Sequence, residues 1–267
     1  MANLPREKMF GHAAYDENGV AKIVDRENLF PNMLMDVTMY KMKRGEARTF
    51  FSDEDETAVD LIMGDVEFAW EGKRETARRE HWLNKRAYVL HVPRGVEVTV
   101  TSQKDDTVIL VQKTENSRVF DSVFYKPDDY TLTHFGVDLC GNTALRDTTT
   151  FFDYNTAPYS NMVMGEVFPK QGNWSGYPPH NHEQPELYIY LMDKPQGFGA
   201  AFIDDDVFKI KHMTFSAIPG GAMHPQVTAP GYHMCTIWMI RHLDDNPWNS
   251  RNDDPDHAWL YDAKFDD

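Results

Sequence analysis

An all-β fold is predicted by this sequence of 267 residues. Short segments rich in Val, Ile, Tyr, Phe and Trp recur along the chain, separated by Gly, Pro, Asp and Asn, and helical periodicity is scarce. Strands at this spacing are typical of a sandwich or a barrel. The segments that predict strands are 59–63, 66–70, 87–92, 96–101, 108–112, 187–192, 213–218 and 234–241.

The two halves of the chain repeat one pattern of strand, glycine turn and strand. The turn is Pro93-Arg94-Gly95 in the first half and Pro219-Gly220-Gly221 in the second. This repeat predicts two copies of one β-unit. The copies differ in chemistry, because the third residue after the turn is Val98 in the first copy and His224 in the second, and only the second contains a His-x-His pair.

The expected domain boundary lies in the polar, turn-rich segment 138–150. We therefore predict a domain at 1–145 that has no metal motif and a domain at 146–267 that binds metal. The second domain ends in a tail, 244–267, which contains Trp248, Trp259, Tyr261 and Phe265. These aromatic residues predict that the tail packs back onto the second domain.

Composition excludes several classes of partner. The net charge of −15 argues against binding to nucleic acid and to anionic membrane surfaces. No stretch of about 18 apolar residues occurs, and the N-terminal segment lacks the apolar run of a signal peptide.

Cys140 and Cys235 are expected to be buried thiols in a reducing cytosol, so the protein is expected to be cytoplasmic. Two acidic runs, 52–56 and 204–206, are expected to be solvated loops.

Four side chains of metal-ligand type occur at spacings that would bring them to one site. His180 and His182 share one face of a strand, and Glu186 has the same parity. Pro178-Pro179 precedes the pair and disfavours a helix there. His224 follows the glycine turn, and an antiparallel neighbouring strand would bring its imidazole to the same point. Histidine and carboxylate ligands suit a borderline divalent cation that keeps positions open for water or substrate.

We predict one divalent metal ion per chain, bound by His180, His182, Glu186 and His224. Zn and Mn are favoured, and Fe, Ni and Co fit the same donor set. The alternative reading is two partly exposed strand histidines beside a surface carboxylate. That reading is disfavoured because four ligand-type residues rarely coincide at both spacings.

The metal pattern and its surroundings resemble a known family. The resembling segments are Gly172-Asn173-Trp174-Ser175-Gly176-Tyr177-Pro178-Pro179-His180-Asn181-His182, Pro195-Gln196-Gly197-Phe198, His224-Pro225, Ala229-Pro230-Gly231-Tyr232 and Asp253-Asp254-Pro255-Asp256-His257-Ala258-Trp259. His-x-His, Glu and Pro-x-Gly-x-x-His in this order resemble the cupin pattern, and the longer segments resemble the bacterial 5-deoxy-glucuronate isomerases, the IolB family of inositol catabolism. Uronate ketol-isomerases of pectin breakdown look like more distant relatives. The sequence departs from the family pattern at Glu183-Gln184-Pro185, where the family carries a longer acidic insertion, and at Gly199-Ala200-Ala201, where a Gln-Arg pair is common.

The resemblance implies a bicupin fold and the isomerisation of 5-deoxy-D-glucuronate to 2-deoxy-5-keto-D-gluconate. For proton transfer we predict Glu186, Tyr190 and Glu183, and for substrate binding Arg146, Tyr188 and Trp174. The alternatives are core filling for the tyrosines, packing for the tryptophan and a surface ion pair for the arginine. A homo-oligomer is expected by analogy.

Two other function classes remain open at this point. One is a different metal-cupin enzyme, such as a dioxygenase or a lyase. The other is a sugar-binding cupin without catalysis, in which the metal ion serves the structure. Oxygen uptake would identify a dioxygenase, and tight ligand binding without turnover would identify the binding module.

Overall fold

The computed structural model describes residues 4–265, which form strands and short 3-10 helices, so the all-β prediction is confirmed. In chain order the strands are β1 (Phe10–His12), β2 (Val20–Val24), β3 (Asp36–Met42), β4 (Ala47–Phe50), β5 (Asp55–Trp70), β6 (Lys73–Arg79), β7 (Val89–Val92), β8 (Val98–Ser102), β9 (Thr107–Glu115), β10 (Val123–Tyr125), β11 (Leu132–Phe135), β12 (Arg146–Phe152), β13 (Met162–Pro169), β14 (Trp174–Ser175), β15 (His180–Asn181), β16 (Glu186–Met192), β17 (Gly199–Ile203), β18 (Asp206–Ile210), β19 (Thr214–Ile218), β20 (Gln226–Thr228), β21 (Met234–Arg241) and β22 (Asn252–Asp253). The 3-10 helices span Arg6–Lys8, Pro31–Met33, Cys140–Asn142 and Pro255–Tyr261.

The described chain divides into two compact units. The N-terminal unit comprises residues 13–130 with 156–161, and the C-terminal unit comprises 4–12, 131–155 and 162–265. The N-terminal strand β1 belongs to the C-terminal unit because it pairs with β19, which lies about two hundred residues further along the chain. The domain limits 1–145 and 146–267 stay predictions beside this division.

The N-terminal unit is built around β5, a strand of 16 residues that pairs with β7 and β9 and then with β6 and β8. The pairing with β9 shifts register between Leu61 and Met63. Gly64 follows with a φ of 125°, and a Cβ there would lie 2.4 Å from Thr107 Oγ1. A residue other than glycine would therefore be strained at this bend.

The first acidic run is not a solvated loop throughout, so that prediction is wrong at its C-terminal end. Asp55 opens β5 and is buried, and Glu56 is fully buried. The Glu56 carboxylate lies 3.0 Å from His91 Nε2, and it accepts hydrogen bonds from Ser160 Oγ at 3.0 Å and from Asn161 N at 2.6 Å. All these groups belong to the N-terminal unit, where they fix the segment 156–161.

The C-terminal unit contains a seven-stranded antiparallel sheet in the order β1-β19-β16-β21-β13-β12-β11. A second sheet has the order β14-β20-β17-β18, and β15 pairs with β22. Side chains of both larger sheets meet in one core, for example Tyr188 and Tyr190 from β16, Ala201 from β17 and Trp238 from β21. Two antiparallel sheets that share one core make this unit a closed β-structure with an interior.

The tail packs against this unit only in part. Trp248 packs on the core and Leu260 is buried, as expected of a docked segment. Trp259, Tyr261 and Phe265 are 58%, 50% and 44% exposed, so these three side chains are less buried than Trp248 and Leu260, and the packing of the tail as a whole stays a prediction. Within residues 4–265, no helix has the length and apolar character to cross a bilayer.

Both cysteines are buried and no disulfide joins them, which confirms the prediction of buried thiols. Cys140 lies in a 3-10 helix and Cys235 in the central strand β21. Burial raises the pKa of the Cys140 thiol, while the nearby charge of Arg146 lowers it. The net direction is upward, so this thiol is protonated at neutral pH.

Candidate metal centre

Three buried side chains of the C-terminal unit form a cluster that fits a metal ion. The ligand atoms of His182, Glu186 and His224 lie within 4.8 Å of one another, and no other such group occurs among residues 4–265. His182 Nε2 lies 3.0 Å and His224 Nε2 3.1 Å from the same oxygen, Glu186 Oε2. The interpretation of the spacing as a convergent set of ligands is thus supported by the fold for these three residues.

The glycine turn brings the two ligand segments together. Gly221 N donates a hydrogen bond to the carbonyl of His182 at 2.7 Å. At Gly220 a Cβ would lie 1.9 Å from the carbonyl oxygen of Glu183, so this position admits only glycine without a shift of backbone. Glu186 opens β16, which runs between β19 and β21 in the middle of the sheet, and so its carboxylate stands on a rigid element.

All three histidines of the predicted ligand set are oriented in the same way. The Nδ1 atoms of His180, His182 and His224 lie 3.0, 3.0 and 2.9 Å from backbone carbonyls two residues away in the chain. A ring that donates its Nδ1 proton to a carbonyl keeps its lone pair on Nε2 when it is neutral. Outer contacts of this type orient metal-binding imidazoles.

The arrangement needs a cation at its centre. Two Nε2 lone pairs that face one ionised carboxylate oxygen repel it unless a proton or a metal ion lies between them. His224 Nε2 is buried, and despite its short distance to Glu186 it has no partner in hydrogen-bonding geometry among the described residues. Burial would raise the pKa of Glu186, but the contacts with His182 and His224 outweigh burial and lower that pKa to about 2. The residues therefore fit a divalent ion.

His180 lies beside this cluster and not within it. Its ring stands edge-on to that of His224 with centroids 4.8 Å apart, and its side chain is 8% exposed. Burial, with further contributions from His224 and Arg251, lowers the pKa of His180 to about 3. The ring is thus neutral and able to ligate at neutral pH, but its role as fourth ligand stays a prediction.

The two tyrosines of β16 differ in their surroundings. Tyr188 is 7% exposed, and its ring centroid lies 5.8 Å from that of His224. Burial, and then the carboxylate of Glu186, raise the pKa of Tyr188 well above its ordinary value, so its hydroxyl keeps its proton. Tyr190 is fully buried in the core, and its hydroxyl lies 2.8 Å from Ser216 Oγ. The position of Tyr188 supports contact with a ligand, whereas the hydroxyl of Tyr190 is already occupied.

Glu183 and Trp174 are not brought into the cluster. Glu183 is exposed and accepts a hydrogen bond from Asn246 Nδ2 at 2.5 Å. Trp174 is half-buried, and its ring stacks on Phe202 at 5.5 Å and lies 5.4 Å from Tyr177. Nothing in these positions supports proton transfer by the carboxylate or substrate contact by the indole, and both roles stay predictions.

Arg146 is a buried cation without a carboxylate partner among the described residues. It is 7% exposed, and its Nη1 and Nη2 donate to the carbonyls of Ala144 at 2.9 Å and Tyr177 at 3.0 Å. Burial, and then the charge of Arg251, lower the pKa of Arg146 to about 10, so the group stays charged at neutral pH. A basic group whose pKa falls on folding destabilises the folded state, and the full free-energy cost applies at every pH below the lowered pKa. A bound anion would relieve that penalty.

A second arginine, Arg251, was missed by reasoning from the sequence. Its charge contributes to the lowered pKa values of His180 and Arg146. It precedes β22, whose pairing with β15 sets Asp253 opposite His180. Arg251 Nε lies 2.9 Å from Asp253 Oδ1 in an ion pair. The only sequence signal was its place two residues before the Asp-Asp-Pro-Asp-His segment of the tail.

A family model matches most of the chain, and curated relatives match part of it. A family model described as KduI/IolB family matches residues 11–260. The 5-deoxy-glucuronate isomerase of Geobacillus thermodenitrificans is 30% identical over 123 residues, which cover 40% of this chain and 44% of that protein. The Bacillus velezensis isomerase is 29% identical over 143 residues, which cover 47% and 51%. The chain thus spans about half the length of the curated relatives it matches.

Solved structures match the whole fold. An IolB-like protein from Salmonella typhimurium has a TM-score of 0.85 at 18% identity, covering 95% of this chain and 99% of that chain. Lactobacillus farciminis oxalate decarboxylase has a TM-score of 0.68 at 12% identity, covering 99% and 92%. Bacillus subtilis oxalate decarboxylase, described with Mn(II) centres, has a TM-score of 0.62 at 10% identity, covering 94% and 80%. These likenesses concern the fold, and they confirm the bicupin prediction.

Proposed function

Because the chain belongs to the KduI/IolB family, we propose that it is a metal-dependent ketol-isomerase acting on a sugar acid. The specific reaction proposed is the conversion of 5-deoxy-D-glucuronate to 2-deoxy-5-keto-D-gluconate in inositol catabolism, as the names of its relatives suggest. The observation that carries the proposal is the buried cluster of His182, Glu186 and His224, whose nitrogen lone pairs need a cation.

We propose that His180, His182, Glu186 and His224 hold one divalent ion. Zn and Mn are favoured, and the Mn(II) centres of a protein with a similar fold support Mn. A bound ion of this kind supplies a Lewis acid that polarises a carbonyl oxygen and lowers the pKa of the neighbouring hydroxyl. Glu186 is ionised, and its negative charge balances part of the charge of the ion.

The remaining residues would bind the substrate and move its protons. Arg146 has a second N–H on each terminal nitrogen, so it can offer two parallel hydrogen bonds to a substrate carboxylate. Tyr188 carries a protonated hydroxyl close to Glu186 and can donate to a substrate oxygen. The isomerisation needs one proton to leave C2 and one to reach C1. Of the residues predicted for this transfer, Glu186 has the supporting position.

Several further expectations accompany this function. The protein is proposed to work in the cytoplasm, which agrees with two cysteines that are not joined in a disulfide. A homo-oligomer and the absence of a nucleic-acid partner stay predictions. The two rival classes, a different metal-cupin enzyme and a sugar-binding module, are distinguished by the experiment below.

We expect the metal-loaded protein to convert 5-deoxy-D-glucuronate into its ketose without consuming oxygen. Proton NMR in D₂O follows the loss of the aldehyde signal and the entry of deuterium at C1, and an oxygen electrode monitors the same reaction. D-Glucuronate and D-galacturonate serve as comparison substrates. Oxygen uptake would identify a dioxygenase, and loss of carbon dioxide would identify a decarboxylating lyase. Binding of all three acids without turnover would overturn the isomerase in favour of a sugar-binding module.

A further inference from the structure

Two hydroxyl groups in the C-terminal unit are buried without any hydrogen-bond partner among the described residues. They are Ser175 Oγ and Thr228 Oγ1, and both residues are fully buried. Leaving a buried polar group unpaired costs about 1–3 kcal/mol, so such groups in a native structure need an explanation. Neither group is used by the isomerase mechanism proposed above.

The two hydroxyls lie on neighbouring strands beside a metal-ligand candidate. Ser175 in β14 is the cross-strand partner of Gln226 in β20, and Gln226 is in turn the partner of Ala201 in β17. Thr228 follows Gln226 by two residues, and His224 precedes Gln226 by two residues. Residues two apart along a strand share a face, and direct cross-strand partners do so too.

That shared face points into the core of the unit. Ser175, Gln226, Thr228 and Ala201 are all at most 2% exposed, and Ala201 packs in the core cluster that also contains Tyr188. The alternate positions on the same strands are half-buried. The polar row of Ser175, Gln226 and Thr228 therefore faces the core of the unit, and two of its members lie on β20, the strand that follows His224 in the chain.

The neighbouring strand β17 offers this row no polar side chain. The cross-strand partners on β17 are Ala201 and Gly199, which have no polar side chain. Gly199 cannot be larger without a backbone shift, because a Cβ there would lie 2.4 Å from the carbonyl oxygen of Val227. Thr236 Oγ1 donates to Gln226 Oε1 at 3.4 Å, which leaves the NH₂ group of that amide to serve other partners.

We propose that Ser175, Gln226 and Thr228 form a hydroxyl-binding row that receives the hydroxyl groups of the substrate's carbon chain. Each hydroxyl can donate one hydrogen bond and accept two, and the amide NH₂ donates two, which matches the mixed donors and acceptors of a polyhydroxylated acid. The proposal rests on the proposed isomerase function and identifies residues that determine its substrate specificity. A site that hydrogen-bonds hydroxyls rejects analogues that lack them, because its own groups are then left unpaired.

The test replaces each orphan hydroxyl by a group of similar shape. Ser175→Ala and Thr228→Val are expected to leave the melting temperature of the ligand-free protein unchanged or higher, because the lost hydroxyl bonds nothing there. The same variants are expected to raise both KM and Kd for 5-deoxy-D-glucuronate by roughly fivefold to tenfold each, the loss expected for one hydrogen bond. Thermal unfolding, steady-state kinetics and calorimetric titration measure these quantities.

Thr214→Val is the matched control. Thr214 is 5% exposed, and its hydroxyl donates to the carbonyl of Lys211 at 2.8 Å and accepts from Lys211 N at 3.0 Å. This hydroxyl is already satisfied, so its removal is expected to lower the melting temperature and to leave KM and Kd unchanged.

The possible outcomes distinguish a failure of the hydroxyl-binding row from a failure of the proposed isomerase function. Binding of the acid by the wild-type protein without turnover, with weaker binding by the two variants, would overturn the isomerase and support the row. Turnover with unchanged KM and Kd in both variants would overturn the row and leave the isomerase intact. A fall in melting temperature like that of Thr214→Val would also overturn the row. A wild-type protein that neither binds nor converts the acid would overturn both.

Discussion

His224→Ala is expected to remove the bound divalent ion and to abolish isomerisation. His224 Nε2 is buried 3.1 Å from Glu186 Oε2, and it is the ligand that comes from the second chain segment. Losing a contact that only orients a ligand typically lowers metal affinity 10- to 100-fold, so losing a ligand is expected to cost at least about 10²-fold. Elemental analysis of the purified variant and its turnover number measure the two effects.

The matched control for this substitution is His233→Ala. His233 is exposed, and its Nε2 lies 3.0 Å from Gln171 Nε2. This variant is expected to keep both its metal ion and its turnover. If His224→Ala retained a full complement of metal, the cluster could not be the metal site.

His180→Ala asks whether the site has three protein ligands or four. The side chain of His180 lies beside the cluster, edge-on to His224, with its Nδ1 fixed by the carbonyl of Pro178. If His180 completes the predicted ligand set, its variant loses metal as His224→Ala does. If it only packs there, the metal content stays at the wild-type level while the melting temperature falls.

Arg146→Met is expected to lower kcat/KM for a sugar acid by about 10²-fold or more. A hydrogen bond to a charged group contributes about 1.5–3 kcal/mol, and a bidentate contact to a carboxylate supplies two of them. The guanidinium of Arg146 is buried and lacks a carboxylate partner among the described residues, so it is free to bind that of the substrate. Steady-state kinetics on 5-deoxy-D-glucuronate measure the loss.

A substrate without the carboxylate provides the control for Arg146. In 5-deoxy-D-glucose a CH₂OH group stands in place of that carboxylate, so its kcat/KM is expected to be low in the wild-type protein and nearly unchanged in Arg146→Met. Arg146→Lys keeps the charge and loses the planar fork, so an intermediate rate on the acid is expected. An equal loss on both substrates would mean that Arg146 supports the fold and does not bind the carboxylate.

Local spacing predicted the fold class and the grouping of His182, Glu186 and His224, because both follow from short patterns of residues that are close in the sequence. Alternation along β16 put Glu186 and Tyr188 on one face, and the glycine turn before His224 placed the third ligand. The structure adds why the turn needs glycine at residue 220, where the carbonyl of Glu183 leaves no room for a Cβ.

Features that depend on distant partners could not be predicted in this way. Glu56 was expected to be solvated, yet its partners His91 and Ser160 lie 35 and 104 residues further along the chain. The segment that contains Arg251 comes next to His180 only because β22 of the tail pairs with β15. Tyr190 has the right parity for the interior, but Ser216 on a neighbouring strand takes its hydroxyl. The alternation of residues along a strand predicts which face a side chain occupies, whereas the partners of that side chain are known only from the fold.

One divalent ion at this cluster is proposed to be required for isomerisation. The most direct measurement is turnover of 5-deoxy-D-glucuronate by the wild-type protein after chelation and again after titration with Mn²⁺ or Zn²⁺. Turnover is expected to disappear with the metal and to return in proportion to the ion added, reaching its maximum at one ion per chain. Full turnover by metal-free protein would show that the ion is not required.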